Sequence, residues 1–381
     1  RPAEHEGGGD VEALRHLGEN AAMLERAQEA MALLPARTPG WWTAAANAVL
    51  GATRTGKRDV VDALAAELTG DGATPSPALA RVAVYLMHVG KSEDARRALT
   101  IVNQALSDPE EPAARWGWGH RANAYAAMFA GDVAGYLEHS QRAVSSFTAG
   151  GDTRELALEL VGLGYARHEL GVYVDAETAL EEGRRIADNL GLRHTLAAAL
   201  ENLGAVLHRL GKLEESERTF EEALRLFVDQ KNVRMEGHCR KQLGLLLVER
   251  GEPARAFDEI MHASQLLSAF PPLVPTTLTA GARALLALDR SDDALLMARD
   301  AAALLAARGT VEDGEAHIRL TLAEVLEAAG ETPAARAAIA AARDHLLAKA
   351  AKITNAELRS TFLTAVRENA KTLELAGAWL G

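Results

Sequence analysis

A single cysteine, Cys239, stands in a chain of 381 residues, so no intrachain disulfide framework can hold the molecule together. One free thiol fits a reducing compartment, and the expectation is a cytoplasmic protein. Aromatic residues are scarce too, at 4% against 48% hydrophobic overall, which leaves Ala and Leu to build the core. Both carry small penalties in a helix. Apolar runs with period two and β-branched residues are few, which argues against a sheet. No apolar run approaches the roughly 20 residues needed to cross a bilayer. The opening RPAEHEGGGD has neither the apolar stretch of a signal peptide nor an initiator Met, so the chain is expected to be a processed or excised piece of something longer. Positive charge is not in excess: 41 Lys and Arg stand against 53 Asp and Glu, a formal net charge of −12. That balance argues against coating nucleic acid, which calls for a basic face.

Catalytic and metal-binding signatures are missing as well. GATRTGKR (51–58) has the glycine and lysine spacing of a phosphate-binding loop, but Arg58 stands where Ser or Thr must hold Mg²⁺. The preceding WWTAAANAVL reads as helix rather than strand, and Gly56 falls where two helices would turn. None of the 12 histidines pairs at zinc-site spacing with a supporting carboxylate or thiol. No nucleophile elbow, no Cys-His signature around Cys239 and no kinase catalytic loop is present. Paired carboxylates are plentiful but fall on polar helix faces, their usual place. No catalytic residue, cofactor or metal is assigned, and an enzyme within these residues is not expected.

What is present is repetition. ENLGAVLHRLGKLEESERTFEEAL (201–224) has a near copy forty positions earlier, ELVGLGYARHELGVYVDAETAL (159–180). Forty later comes QLGLLLVERGEPARAFDEIMHA (242–263), and forty before the pair NAYAAMFAGDVAGYLEHSQRA (123–143). Weaker copies occupy 81–102 and 321–342, and in the copy at 281–302 Asp289 replaces the turn glycine. Self-similarity at a fixed period is the signature of a stacked array. Within each copy a first helix carries Leu and Ala on one face. A small residue at Gly164, Gly204 or Gly244 lets the second helix approach, and Gly171, Gly211 or Gly251 ends the first helix. The second helix then puts Ala176, Ser216 or Ala256 toward the first, with Leu180, Phe220 or Ile260 one turn on. One pair cannot bury its apolar face alone, so neighbours must stack.

This arrangement resembles the tetratricopeptide repeat (TPR) family. Its signature of a Leu-Gly step, a turn glycine, an Ala, an aromatic or Leu, and another Ala reads here as Leu203-Gly204, Gly211, Ser216, Phe220 and Ala223. The next copy reads Leu243-Gly244, Gly251, Ala256, Ile260 and Ala263. The period is about 40 rather than the usual 34, and the closing Pro is absent from most copies. The resemblance covers 41–347 and is strongest over 121–265. It implies an all-α fold, an α-solenoid of about eight helical hairpins in a right-handed superhelix. Residues 1–10 read as a flexible segment and 11–36 as a long helix or orphan half-repeat. The tail, 348–381, reads as one capping helix with Trp379 and Leu380 on its apolar stripe. The long repeats and this tail also look like the C-terminal array of multidomain bacterial regulators in which a Ser/Thr kinase or signalling NTPase comes first.

For such a fold the resemblance implies protein–protein recognition: a concave groove, lined by the first helices, takes a peptide or protein segment. The period places Trp118, Arg121, Tyr125, Tyr165, His168, Glu201, Asn202, His208, Arg209, His238, Lys241 and Arg283 there, as partner-binding residues. The competing reading of each is an ordinary solvated position, or, for Trp118, packing inside the array. The expected function is the sensor or docking arm of a bacterial signalling protein. The alternatives are a self-standing scaffold or adaptor and the assembly region of a larger enzyme. Expected partners are a protein or peptide and an upstream kinase or NTPase domain of the same polypeptide, with no nucleic acid and no membrane.

Overall fold

The computed structural model describes residues 20–69, 74–108, 110–309, 311 and 313–381, and these are all helix, turn and loop, without a strand. The helices are α1 (Asn20–Leu33), α2 (Pro39–Arg54), α3 (Arg58–Thr69), α4 (Pro77–His88), α5 (Ser92–Leu106), α6 (Gly117–Phe129), α7 (Val133–Gly150), α8 (Thr153–Glu169) and α9 (Tyr173–Asn189). They continue with α10 (Arg193–Arg209), α11 (Leu213–Asp229), α12 (Val233–Glu249), α13 (Pro253–Leu267), α14 (Val274–Ala287), α15 (Ser291–Arg308), α16 (Glu315–Ala328), α17 (Thr332–Ala350), α18 (Ala356–Thr364) and α19 (Arg367–Leu380). From α2 to α17 they form eight stacked helix pairs, the all-helical array that the repeats imply.

The local reasons are those the sequence suggested. Backbone φ is positive at Gly131, Gly151, Gly171, Gly191, Gly211, Lys231 and Gly251, one residue in every twenty. The forty-residue period is therefore two helix-and-turn steps, one within each pair and one between pairs. At Gly171 the amides of Gly171 and Val172 donate to the carbonyls of His168 and Arg167 at 3.0 and 2.9 Å, closing the helix end in a Schellman motif. In the copy without a turn glycine, Asp289 takes the left-handed conformation itself, at φ 58°. The helix-interior glycines act by contact. A Cβ on Gly164 would lie 2.4 Å from Leu180, on Gly204 2.8 Å from the Phe220 ring, and on Gly244 2.5 Å from Ile260. The Ser216 hydroxyl donates to the Gly204 carbonyl at 2.7 Å, seating the small-residue face of α11 on α10.

The chain divides into two compact units, residues 1–159 and 160–381. In the first, Trp41, Trp42, Leu79, Leu86 and Trp116 pack into one alanine-rich core. GATRTGKR lies there across the end of α2, a turn at Gly56 (φ 72°) and the start of α3, a helix–turn–helix that forms no phosphate loop. Of the helix or half-repeat expected at 11–36, Asn20–Leu33 is helical; residues 1–19 lie outside the described residues. In the second unit, Phe220, Phe227, Leu246 and Ile260 form one core cluster. Ile339, Ala342 and Ala376 form another, with Trp379 against it. Residues 348–381 differ from the single helix expected: they comprise the end of α17 and two helices, α18 and α19, broken at Ala365 and Val366.

Candidate functional site

Within the second unit, the C-terminal helices turn back onto the ends of the first helices of the array. Arg209, in the last turn of α10, donates to Glu368 of α19 at 2.7 Å, and neither side chain is more than about a fifth exposed. Arg367 pairs with Glu249 at the end of α12 and also reaches the His208 carbonyl. Ala365 packs against the turn at Gly171, where even a glycine has its Cβ position 3.0 Å from the Ala365 methyl. The buried Glu368 carboxyl would rise on desolvation, but Arg209 reverses this and brings it down to about 2. Glu249 is likewise brought to about 2 against its burial, by His208 and Arg367.

A cavity of about 130 Å³ lies between this C-terminal wall and the array. His168, Arg209, Lys241 and Thr276 line it from the first helices, Asp313 and His317 from the loop and helix after α15, Lys349 from α17, and Glu368, Asn369 and Thr372 from α19. Three of its cations are neutralised in place: Arg209 by Glu368, Lys241 by Asp313 at 3.2 Å, and Arg319 by Glu315 at 2.7 Å. His317 is held neutral, its pKa lowered to about 3 first by burial and then by Arg283. The Asn369 amide nitrogen donates to the Phe362 carbonyl at 2.9 Å. That fixes the orientation and leaves its Oδ1 without a partner, as is one oxygen of Asp313. A buried unpartnered acceptor costs about 1–3 kcal/mol, so its retention calls for a reason.

Behind the cavity wall runs a buried charge network. Glu201 of α10 lies 3.0 Å from His238 Nδ1, and His238 Nε2 lies 3.3 Å from Asp313, which also receives Lys241. Glu201 and Lys241 are almost fully buried, at 4% and 2% exposure. Burial and the neighbouring Lys241 would lower the His238 pKa, but Glu201 and Asp313 outweigh them and raise it to about 9. His238 is therefore protonated at neutral pH, and two carboxylates balance two cations. Burial would raise Asp313 as well; Lys241 and His238 instead hold it far below the usual carboxylate range. Removing one member of such a network strands its partner, at a cost of about 3–5 kcal/mol.

The twelve residues that the period selected thus part company. His168, Arg209 and Lys241 line the cavity, and Glu201 and His238 brace it. His208 sits beside Glu249 at 3.1 Å. Tyr165 is half-buried on α8. Asn202 turns back to the Ala198 carbonyl, and Arg283 pairs with Glu324 at 2.9 Å. Lys241 corrects the expectation of a solvent-facing contact, because its ammonium is spent on Asp313 inside the protein.

Trp118, Arg121 and Tyr125 belong to the first unit and form a different cluster. The Trp118 ring lies between the guanidinium groups of Arg81 and Arg121, 5.1 and 4.4 Å from its centroid. Tyr85 and Phe147 meet the ring edge-on. Arg121 is only 2% exposed and pairs with both Glu155 and Glu159, at 2.5 and 2.6 Å. This too corrects the reading of Arg121 as a groove contact: its donors are satisfied, and the residue holds α6 to the start of α8. Trp118 keeps half-buried surface, and Tyr125 packs on His88 at 4.9 Å.

Asp313, His317, Lys349, Glu368 and Asn369 were missed. Asp313 had one signal in the sequence, since residues 309–314 between α15 and α16 break the twenty-residue spacing. The others had none, because nothing in a helical tail says that it folds back onto the array.

Residues 153–229 and 195–269 match the tetratricopeptide repeat model, so this stretch carries TPR repeats. No curated protein matches the sequence. Among solved structures, the chain is similar to a Rap protein complexed with Competence and Sporulation Factor, at 12% identity and a TM-score of 0.60 over 89% of this chain and 99% of that one. It is similar to the apo form of RapI at 10% identity and TM-score 0.54, covering 88% and 98%. The Rap conjugation gene regulator of the plasmid pLS20, in complex with the Phr* peptide, gives 12% and 0.53, covering 81% and 97%. At such identities the likeness establishes the fold, a TPR-like array of stacked helix pairs. No helix among the described residues is long and apolar enough to cross a membrane.

Proposed function

We propose that the chain is a protein–protein interaction module: the sensor or docking arm of a bacterial signalling protein, acting in the cytoplasm and taking a peptide or protein segment on the inner face of residues 160–381. The observation that carries this is the convergence of α8, α10, α12, α16 and α19 on one polar cavity, with His168, Arg209 and Lys241 on its wall. Two of the similar structures are complexes, one with Competence and Sporulation Factor and one with a Phr* peptide, which supports ligand capture by arrays of this fold. In this reading a bound segment shifts α18 and α19, and through them an effector domain such as a kinase or NTPase of the same polypeptide.

The test uses the intact chain as bait and then measures affinity for the captured partner. Arg209→Gln combined with Arg283→Gln, on the inner helices, should weaken binding at least tenfold, since Arg anchors dominate many interfaces. Glu182→Ala with Glu222→Ala, both exposed on outer helices, should change it less than twofold. The reverse order of effects would place the partner on the outer face and overturn this reading.

A further inference from the structure

We propose that the corner between α18 and α19 is an autoinhibitory latch: it holds the inner face of residues 160–381 shut against the partner segment, and a carboxylate of that segment takes over Arg209 when the corner lifts. The latch rests on the reading of this face as the partner site and adds how access to it is controlled.

Three observations converge. The first is size. Where His168, Arg209 and Lys241 converge, the inner face leaves a space of about 130 Å³, room for on the order of ten water molecules. A peptide segment of several residues does not fit there. A wall has to move before such a segment reaches these side chains, and the C-terminal tail forms one of the walls.

The second is how the tail is held. Four consecutive residues at its corner meet the array. Methyl groups of Ala365 and Val366 lie 3.0 and 3.3 Å from the Cβ position of Gly171, and the Tyr173 hydroxyl donates to the Ala365 carbonyl at 3.5 Å. Arg367 pairs with Glu249, and Glu368 with Arg209. Gly171 follows α8, while Arg209 and Glu249 end α10 and α12, so one corner lies across three successive helix pairs. The rest of the tail is seated elsewhere: α19 packs on α16 and α17, where Ala376 and Trp379 meet Ile339 and Ala342. The corner is therefore held by small side chains and two ion pairs, and the Arg367–Glu249 pair is exposed. Water and salt screen such a pair, so it resists opening weakly. The apolar seat keeps the tail on the last helix pair while the corner lifts.

The third is the charge left behind. Lifting the corner strips Arg209 of Glu368, whereas Glu249 keeps His208 at 3.1 Å. A half-buried guanidinium without a counterion is destabilising, so the open face selects a segment that brings a carboxylate. Glu368 is the intramolecular stand-in for that group. Despite its burial, Arg209 holds its carboxyl at about 2, and it stays ionised at ordinary pH. A competing carboxylate, and not a proton, releases the latch.

The experiment measures hydrogen exchange over 356–368, and affinity for the captured partner, in variants of the intact chain. Arg367→Glu combined with Glu368→Arg exchanges the two corner charges at constant composition and sets like charges against Glu249 and Arg209. It should speed exchange over 356–368 at least tenfold. Gly171→Ala should do the same by pushing on Ala365. Gly211→Ala is its control: the two glycines share a left-handed φ, 79° and 77°, but Gly211 has nothing within 4 Å, so this variant carries the backbone strain alone and should leave the segment unchanged. Both opened chains should bind the partner at least tenfold more tightly than the parent, and adding Arg209→Gln to the charge-exchanged chain should abolish that gain. Unchanged exchange in both opened variants, or equal acceleration in Gly211→Ala, overturns the latch and leaves the proposed function standing. Faster exchange without tighter binding overturns the autoinhibition and again leaves the function standing. Capture of a protein by the opened chains alone supports the latch most strongly. Capture of none by parent and opened chains alike overturns the proposed function, and the latch with it.

Discussion

His238 offers the most direct check on the buried network that supports the cavity. Its folded-state pKa of about 9 compares with 6.5 for a free imidazole. A raised pKa means that the folded protein holds the proton more tightly than the unfolded chain does. The contribution to stability is therefore complete below pH 6.5 and disappears as pH rises through 9. Its full size is about 3 kcal/mol, from 1.36 kcal/mol per unit of pKa. Between pH 7.5 and pH 8.5, about 1 kcal/mol of it should be lost. His120 and His317, lowered to about 4 and 3, and His139, also lowered by burial, gain stability as pH rises through 6.5 but are neutral in both states above pH 7.5, so the window begins there. Burial raises the Cys239 thiol, and Tyr173 is raised to about 12 chiefly by burial, so both act at higher pH. Urea unfolding followed by circular dichroism should show the midpoint of the intact chain falling across pH 7.5–8.5, and a flatter profile in His238→Gln. Nuclear magnetic resonance of the imidazole carbon reads the titration without any assumption about how many steps unfolding takes. An imidazole that titrates near 6.5 in the folded chain, or a Gln variant with an unchanged pH slope, would refute the charge assignment around Glu201 and Asp313.

Gly244→Ala should destabilise the chain by about 1–3 kcal/mol, because its Cβ would sit 2.5 Å from Ile260, whereas Gly377→Ala in α19, with nothing within 4 Å, should be neutral or gain up to about 1 kcal/mol; paired thermal melts decide, and equal effects would reject the close-approach argument. Glu368→Gln strands the Arg209 guanidinium, so hydrogen exchange over 356–380 should accelerate at least tenfold while exchange in α11 stays unchanged. Asp289→Gly should stabilise the 281–302 pair by about 1 kcal/mol, since φ 58° is costly for a residue with a Cβ. In the parent chain that pair should be the first internal one to open, and a high degree of protection there would count against this order.

The array itself was legible because its rules are local. A twenty-residue step, a left-handed turn and a glycine under a large side chain are each settled by residues close in sequence, so Gly164, Gly204 and Gly244 could be given their role before any fold was known. Asp289 could be placed in a turn by register alone. The site was only half legible. The period found His168, Arg209 and Lys241, because residues forty apart on first helices share a face. It could not separate a side chain that faces solvent from one whose charge is already used. Lys241 and Arg121 show this: their charge partners, Asp313 and the pair Glu155 and Glu159, lie 34 or more positions away.

What the sequence determined by itself was the all-helical class, the pairing of helices and the small-residue contacts that set their spacing. Burial of an alanine and leucine face at fixed period admits few other solutions. What only the tertiary structure decided was which polar residues meet. The return of α18 and α19 to the ends of α10 and α12 joins Glu368 to Arg209 across 159 positions. Such a contact depends on the three-dimensional course of several helix pairs in succession, where small rotations add up. A helical tail carries the same amphipathic pattern whether it faces water or closes a cavity, and the neutral, partly unpartnered wall formed by that closure exists only once the chain has folded.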